Sequence, residues 1–203
     1  SSSNLLTLTT YSTAYDNIDN SAYTSTTGGT TSGRNWFKTF CVEPSAGVST
    51  PMVAKLNYSN GQSKNSNGVA LNLGTAYLYK QFATGTLSGF NYSGTTSNAM
   101  LSNAIRVMLG FNTLANWNSN TFLAQLLTIN SSKSYWQASY DPGKYYNEIG
   151  DYSVFIMNVT TTAGVDRQDF LYIAKATNNG GSDVPEPASI LLWSLGGFSL
   201  AGS

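Results

Sequence analysis

The chain has 203 residues, enough for one domain of ordinary size with a sizeable core. Its 10 Lys and Arg residues balance its 10 Asp and Glu residues, and this neutral charge excludes a nucleic-acid-binding surface, which needs positive charge against the phosphates. The sequence contains no His and a single Cys, Cys41, which excludes a Ser-His-Asp or Cys-His nucleophile, the common zinc sites and a disulfide within the chain.

Strand patterns dominate the first third of the chain. Residues 5–11 alternate apolar and hydroxyl side chains, residues 36–42 are apolar on both faces, as is typical of a central or covered strand, and residues 52–58 form a third predicted strand. Glu43-Pro44 ends the second strand, because proline cannot donate to a ladder. Residues 24–33 are all Ser, Thr or Gly and residues 59–68 are polar, so both are predicted to be loops.

The hydrophobic period changes to that of helices between about residues 70 and 129. Three helices are predicted here: residues 70–83, a helix that Ser97 caps and Gly110 ends, and residues 121–129. Their inward faces are expected to be Leu73, Ala76, Tyr77 and either Lys80 or Gln81 in the first, Leu101, Ala104, Ile105 and Met108 in the second, and Phe122, Leu123, Leu126 and Leu127 in the third.

The strand period returns at residues 152–159 and 170–175, after a turn at Asp141-Pro142-Gly143. Strands followed by helices and then strands predict an α+β fold. We expect a mostly antiparallel β-sandwich with a three-helix insertion and an apolar C-terminal tail. Residues 1–175 are expected to form the globular domain, residues 176–187 a linker, and residues 188–203 a hydrophobic segment.

A short motif precedes the apolar tail. Val184, Pro185, Glu186 and Pro187 follow the turn-forming stretch 178–183. The large apolar residues of the tail are Ile190, Leu191, Leu192, Trp193, Leu195, Phe198 and Leu200. This arrangement resembles the PEP-CTERM sorting signal of exported bacterial proteins. The resemblance implies recognition by a membrane-embedded exosortase and delivery to the cell surface or to the extracellular matrix of a biofilm, which contains exopolysaccharide.

The tail is shorter than in the family that it resembles. Family members usually end with a longer apolar span and a short basic cluster, whereas residues 188–201 fall short of the roughly 20 residues that span a bilayer, and no Lys or Arg follows Lys175. Residues 1–4 have neither the basic nor the apolar region of a signal peptide, so Ser1 is expected to be a mature N-terminus. We therefore expect the tail to serve the finished protein as a buried assembly element.

Residues 39–44, 77–82, 101–106, 157–159 and 167–169 together resemble the surface thioester domains of adhesins. In such domains an aromatic-Cys-aliphatic strand supplies a thiol, and a helix with an x-Gln-x-Ala-Ile-Trp motif supplies the carboxamide that the thiol attacks. The resemblance places Cys41 at the thiol position, but Ser102 replaces the Gln and Arg106 replaces the Trp. Because a hydroxyl has no carbonyl to attack, we expect an inactive site in which Cys41 is a small buried hydrophobe.

Two further groups of residues are weaker candidates. Asp166 with Asp169, and Asp16 with Asp19, could help to ligate calcium, but their spacing favours solvated acids in turns. The aromatic residues that could stack on sugar rings, or form core and subunit contacts instead, are Tyr135, Trp136, Tyr140, Tyr145 and Tyr146.

These observations predict a non-catalytic, exported structural protein of the bacterial cell surface or matrix, with no cofactor and no metal. We expect copies of the chain to assemble into a filament or layer, because burying the large tail side chains between subunits stabilises each contact by about 1.5–3 kcal/mol per side chain. The expected partners are other copies, the exosortase during export and an exopolysaccharide, but not nucleic acid. Two alternatives stay open: a monomeric adhesin or glycan-binding module anchored by its tail, and a thioester-forming reactive adhesin.

Overall fold

The computed structural model describes residues 5–10, 22–31, 34–43, 52–143, 152–175 and 190–193. In these ranges the strands are β1 (Leu5–Thr10), β2 (Gly28–Thr31), β3 (Arg34–Phe40), β4 (Met52–Asn57), β5 (Tyr152–Thr161), β6 (Phe170–Lys175) and β7 (Ile190–Trp193). The helices are α1 (Leu73–Ala83), α2 (Thr96–Met108), α3 (Thr121–Ile129) and α4 (Lys133–Gln137). The prediction of an α+β fold is confirmed.

The described strands are paired antiparallel throughout, as predicted. Two three-stranded halves, β2-β3-β1 and β4-β5-β6, are joined by β7 into one sheet of order β2-β3-β1-β7-β4-β5-β6. On one side of β7, Trp193 lies opposite Thr9 and Leu192 opposite Thr10 of β1. On the other side, Ile190, Leu191 and Leu192 lie opposite Ala54, Val53 and Met52 of β4. β7 therefore connects the two halves through the backbone.

The two halves meet a second time where β3 ends. Cys41 forms an antiparallel bridge with Phe170 at the start of β6, and the Val42 N–H donates to the Asp169 carbonyl at 3.0 Å. We call the two segments that meet here, residues 39–43 and 168–171, the seam. Because β7 joins the halves on one side and the seam joins them on the other, the sheet is curled rather than flat.

Helix α1 lies at the centre of the core. Its Phe82 ring packs edge-on against Phe40, 5.1 Å away between centroids, and its Lys80 Nζ donates to the Tyr152 carbonyl of β5 at 2.9 Å. The expected inward face of α1 is only partly right: Ala76 and Lys80 are buried, but Leu73, Tyr77 and Gln81 are half-buried. The difference arises because α1 is covered by strands and by other helices, so the buried set extends around the helix to Leu78, Tyr79 and Phe82.

Helices α2 and α3 follow the sequence prediction closely. All four residues of the expected α2 face are buried, and α3 has the predicted bounds with Phe122, Leu123 and Leu126 buried and Leu127 half-buried. The predicted cap is wrong, because Thr95 rather than Ser97 is the N-cap residue of α2, and the Ser97 Oγ accepts from the Asn91 N–H at 3.0 Å. The short helix α4 was not predicted.

The loop predicted for residues 24–33 is also wrong, since this stretch contains β2. The strand carries no large apolar residue because there is no space for one. A Cβ atom on Gly28 would lie 2.7 Å from the Tyr23 Cβ and 3.1 Å from the Trp36 carbonyl oxygen. Glycine allows β2 to approach both of these residues, and the threonines that follow are exposed.

Two asparagine side chains fasten α2 to the helices beside it. Asn72 caps α1 by accepting from the Thr75 N–H at 2.9 Å, and its Nδ2 donates to the Met108 carbonyl of α2 at 2.6 Å. Asn120 caps α3, and its Nδ2 donates to the Met100 carbonyl of α2 at 2.9 Å. Each asparagine thus accepts a hydrogen bond from the free backbone N–H groups at the start of one helix and donates one to a carbonyl of another helix.

Candidate functional site

Part of the predicted assembly tail lies in the sheet. Ile190, Leu191, Leu192 and Trp193 form β7, whereas Leu195, Phe198, Leu200 and the motif of residues 184–187 lie outside the described residues. The tail residues that the structure describes are therefore an extended strand with backbone partners on both sides. No helix in the described ranges is long and apolar enough to cross a membrane.

The edges that hold β7 form a site for one strand. We call the space between residues 9–10 of β1 and residues 52–54 of β4 the β1–β4 slot. Met52 and Ala54, which lie opposite Leu192 and Ile190, are fully buried, and Val53, opposite Leu191, is half-buried. Within the described residues β1 and β4 do not pair with each other, so an empty slot would leave two edges with unpaired N–H and C=O groups. The slot is chemically suited to an extended apolar peptide.

Cys41 lies in the seam with a half-buried side chain. Burial raises the pKa of its thiol to about 12, although the positive charge of Arg106 acts in the opposite direction. Cys41 is therefore protonated at neutral pH, and a protonated thiol is a weak nucleophile. The influence of Arg106 places the last turn of α2 within electrostatic range of Cys41.

Ser102 lies on α2 and is buried. It occupies the position at which the thioester resemblance implies a carboxamide, and a hydroxyl offers the thiol no carbonyl carbon. Arg106, on the same helix, stands where the resemblance implies a Trp. Ser102 and Arg106 thus lie on one helix and Cys41 directly after β3, and neither helix side chain offers a carboxamide.

Two buried carboxylates meet at the seam. Asp169 is 0% exposed and Glu43 is 5% exposed, so the expectation that Asp169 is a solvated turn acid is wrong, whereas Asp166 is exposed as expected. The Asp169 carboxylate accepts from the Val159 N–H at 2.8 Å, from the Ser66 N–H at 2.6 Å and from the Asn158 Nδ2 at 2.6 Å. Val159 and Asn158 lie in β5, Ser66 lies in the loop after β4, and Asp169 directly precedes β6. The Asp169 carboxylate therefore holds these three parts of the fold together, and we call this arrangement the clamp.

Glu43 extends the clamp to the other side of the seam. Its Oε2 accepts from the Asp169 N–H at 3.2 Å and its Oε1 from the Asn67 Nδ2 at 2.9 Å. Burial raises the pKa of both carboxyl groups, and the negative charge of Asp169 raises the pKa of Glu43 further. Nothing in the spacing of the sequence indicated this pair. The available signal was positional: Glu43 follows the end of one predicted strand, and Asp169 directly precedes another.

The predicted aromatic cluster is mostly part of the core. Trp136 and Tyr140 are buried, and the Trp136 Nε1 donates to the Leu126 and Asn130 carbonyls, at 2.9 Å each. Tyr135 is 46% exposed and its ring lies edge-on to Trp136 with centroids 5.0 Å apart. Tyr145 and Tyr146 lie outside the described residues. Of the described cluster, Tyr135 is thus the ring that solvent and a sugar can reach.

Comparison with protein families, characterised proteins and solved structures finds no match to this chain. Within the ranges that the structure describes, no three His, Cys, Asp or Glu side chains come close enough together to hold a metal ion. The functional argument therefore rests on the β1–β4 slot and on the chemistry of the seam.

Proposed function

We propose that the chain is an exported, non-catalytic structural protein of the bacterial cell surface or extracellular matrix, and that copies of it assemble into a filament or layer. The observation that carries this proposal is β7: the apolar tail forms a sheet strand that fills a slot between two other strands. Tails of this kind can join subunits, because strand addition uses backbone hydrogen bonds that any chain can supply.

Export and surface location rest on the resemblance of residues 184–187 to the PEP-CTERM signal, which also implies an exosortase and an exopolysaccharide-containing matrix as partners. The neutral charge of the chain favours self-association, because little repulsion separates the copies. We also propose that the two halves of the sheet act as the layers of the β-sandwich expected from the sequence. Phe37 of β3 and Tyr172 of β6 support this interpretation, since their rings meet across the core at 5.2 Å.

Assembly is tested by removing the tail. The purified chain is concentrated and compared with a variant lacking residues 188–203, by sedimentation and negative-stain electron microscopy. We expect the intact chain to form regular assemblies and the shortened chain to form none, while circular dichroism shows that its body stays folded. A matched control replaces the exposed apolar residues Ile129 and Val165, which lie outside the tail, by Ser, and it should still assemble. Normal assemblies from the shortened chain would contradict the proposal.

A glycan-binding module is the second candidate, and the exposed ring of Tyr135 is the observation that favours it. Binding to exopolysaccharide that Tyr135→Ala abolishes, and that the tail deletion leaves unchanged, would support this alternative. The third candidate, a thioester-forming adhesin, requires an intact mass lower than that of the sequence by one ammonia.

A further inference from the structure

We propose that β7 is exchanged between copies of the chain, so that β7 of one molecule fills the β1–β4 slot of the next. This inference rests on the proposed function and adds to it the two surfaces that meet, which are the donated strand β7 and the β1–β4 slot of the molecule that receives it. The partner is a second copy of this chain.

The slot itself does not distinguish the two sources of the strand. β7 is held by backbone pairing to residues 9–10 and 52–54, and another copy offers the same N–H and C=O groups on the same sequence. The bonding inside the slot is therefore equal whether the strand comes from its own chain or from a neighbour. The two cases differ in the connection between β6 and β7, residues 176–189. The length of this connection decides whether β7 fills the slot of its own chain, which we call closure, or the slot of a neighbour, which is exchange.

The strand register gives the distance that the connection must cover. Lys175, the last residue of β6, lies opposite Tyr152 of β5, whereas Ile190 lies opposite Ala54, which lies opposite Val159. From Tyr152 to Val159 the offset along the strands is about 23 Å, and three strand spacings across the sheet add about 14 Å in the perpendicular direction. Lys175 and Ile190 are thus separated by about 27 Å along the sheet.

Residues 176–189 can span this distance, since a fully extended stretch of that length reaches at most about 50 Å. Its sequence includes Asn178, Asn179, Gly180 and Gly181, residue types that favour turns and open chain. Closure within one chain then competes with exchange at an effective concentration on the order of millimolar. High local concentration, as in a surface layer or matrix, favours exchange.

Exchange leads to an open assembly. The donated strand and the slot are different surfaces of one molecule, so each copy that gives its β7 forward accepts another from behind. Such a head-to-tail contact repeats without closing unless its rotation happens to form a ring. The expected product is a filament in which every joint is one strand inside a continuous sheet.

Cross-linking of two single-cysteine variants tests the exchange. In a Cys41→Ala background, Val53→Cys and Leu191→Cys are introduced into separate chains, because these two residues lie opposite each other in the β4–β7 register. The two proteins are mixed under assembly conditions, oxidised and separated on a non-reducing gel. Exchange predicts disulfide-linked dimers in the mixture. When every chain of an assembly carries both substitutions, exchange predicts a series of disulfide-linked oligomers of increasing size on the gel.

Controls separate this inference from the proposed function. A chain with both Thr7→Cys and Lys38→Cys, which face each other between β1 and β3, should close within itself in every state. Exchange is overturned, and the proposed function stands, if three results occur together. Assemblies form, the double variant Val53→Cys with Leu191→Cys makes its disulfide within each chain, and the mixture of single variants gives no dimers. If the unmodified chain forms no assemblies at any concentration, both are overturned.

A linker variant supplies an independent test. Deleting residues 178–183 leaves a stretch that reaches at most about 32 Å, barely more than the separation of about 27 Å that it must cover around the sheet. Exchange predicts that this deletion lowers the concentration needed for assembly at least tenfold, because closure within one chain then needs a nearly fully extended connection, whereas the donated strand is intact. An insertion of six Gly and Ser residues at the same place should have no such effect. An unchanged assembly concentration in the deletion variant would argue against exchange.

Discussion

At the scale of single residues, burial sets the chemistry of Cys41. A thiol whose pKa is raised from 9.0 to about 12 holds about a thousandfold less thiolate at pH 8 than an exposed one. The Arg106 charge opposes this shift but does not overcome desolvation. The low reactivity that the sequence predicts for Cys41 thus has a physical cause in desolvation at the seam.

Alkylation measures this effect directly. We expect Cys41 in the folded protein to react with iodoacetamide at pH 8 about a thousandfold more slowly than in 6 M guanidinium, because only the thiolate attacks. The rate in the folded protein should rise about tenfold for each pH unit. Mass spectrometry over time gives both rates. A thiol that stays unmodified in denaturant, together with the loss of an ammonia, would instead indicate a thioester.

The buried carboxylates predict how stability depends on pH. Since the pKa values of Glu43 and Asp169 are raised in the folded state, the folded protein binds protons more readily than the unfolded chain. Their contribution to stability is then fully present below their ordinary pKa values, 4.5 and 3.8, and is lost as the pH rises through the raised values.

Urea unfolding at whole pH units from pH 4 to pH 8 tests this sign in the variant Glu43→Gln. As the pH rises from the ordinary pKa values, the wild-type protein should lose more stability than the variant, because the variant has one buried charge fewer and relieves the repulsion of Asp169. Asp166→Asn is the graded comparison: Asp166 is exposed and its charge is the smallest of the causes that raise the pKa of Glu43, so this variant should reduce the pH dependence much less than Glu43→Gln does. A variant that loses as much stability as the wild type would contradict the assignment of the pH effect to the seam.

At the scale of elements, β2 depends on the absence of a side chain. We expect Gly28→Ala to destabilise the protein by about 1–3 kcal/mol, because its Cβ would lie 2.7 Å from the Tyr23 Cβ and neither backbone can withdraw without disturbing the strand. Thr30→Ala in the same strand is the control and should change stability by less than about 0.5 kcal/mol, since Thr30 is exposed. Thermal unfolding distinguishes the two variants.

The elements that could be predicted from the sequence are those whose signal is local. The bounds of α3 and the buried face of α2 follow from apolar residues at helical spacing, as the burial of Leu101 and Ile105 shows. β2 could not be predicted, because its glycines serve contacts with Tyr23 and Trp36 rather than a periodic pattern. The face of α1 was only partly predictable, because a helix covered on several sides has no single apolar stripe.

The candidate site follows the same division. The apolar composition of residues 190–193 was visible in the sequence, but it did not show that they form a strand, because the register of β7 with β1 and β4 depends on segments far away in the chain. The clamp between Glu43 and Asp169 joins residues 126 positions apart, and the sequence around each of them does not predict that its carboxylate is buried. The hydrophobic period of a sequence predicts where strands and helices lie, but not which distant segments pair with each other.

At the scale of the whole molecule, the short length of β7 has a mechanical consequence. β7 has four residues, whereas β5 has ten and is paired along much of its length on both sides. When the C-terminal end is pulled, the load reaches β7 first, and β7 is held by only two pairings to β1 and three to β4. β7 therefore detaches first, and the body, held by the seam and the core, stays folded. Pulling on single molecules should show a first, low-force rupture that lengthens the chain by at most a few nanometres and reforms on relaxation. A protein built in this way yields at β7 and recovers, so that load is absorbed without unfolding the domain.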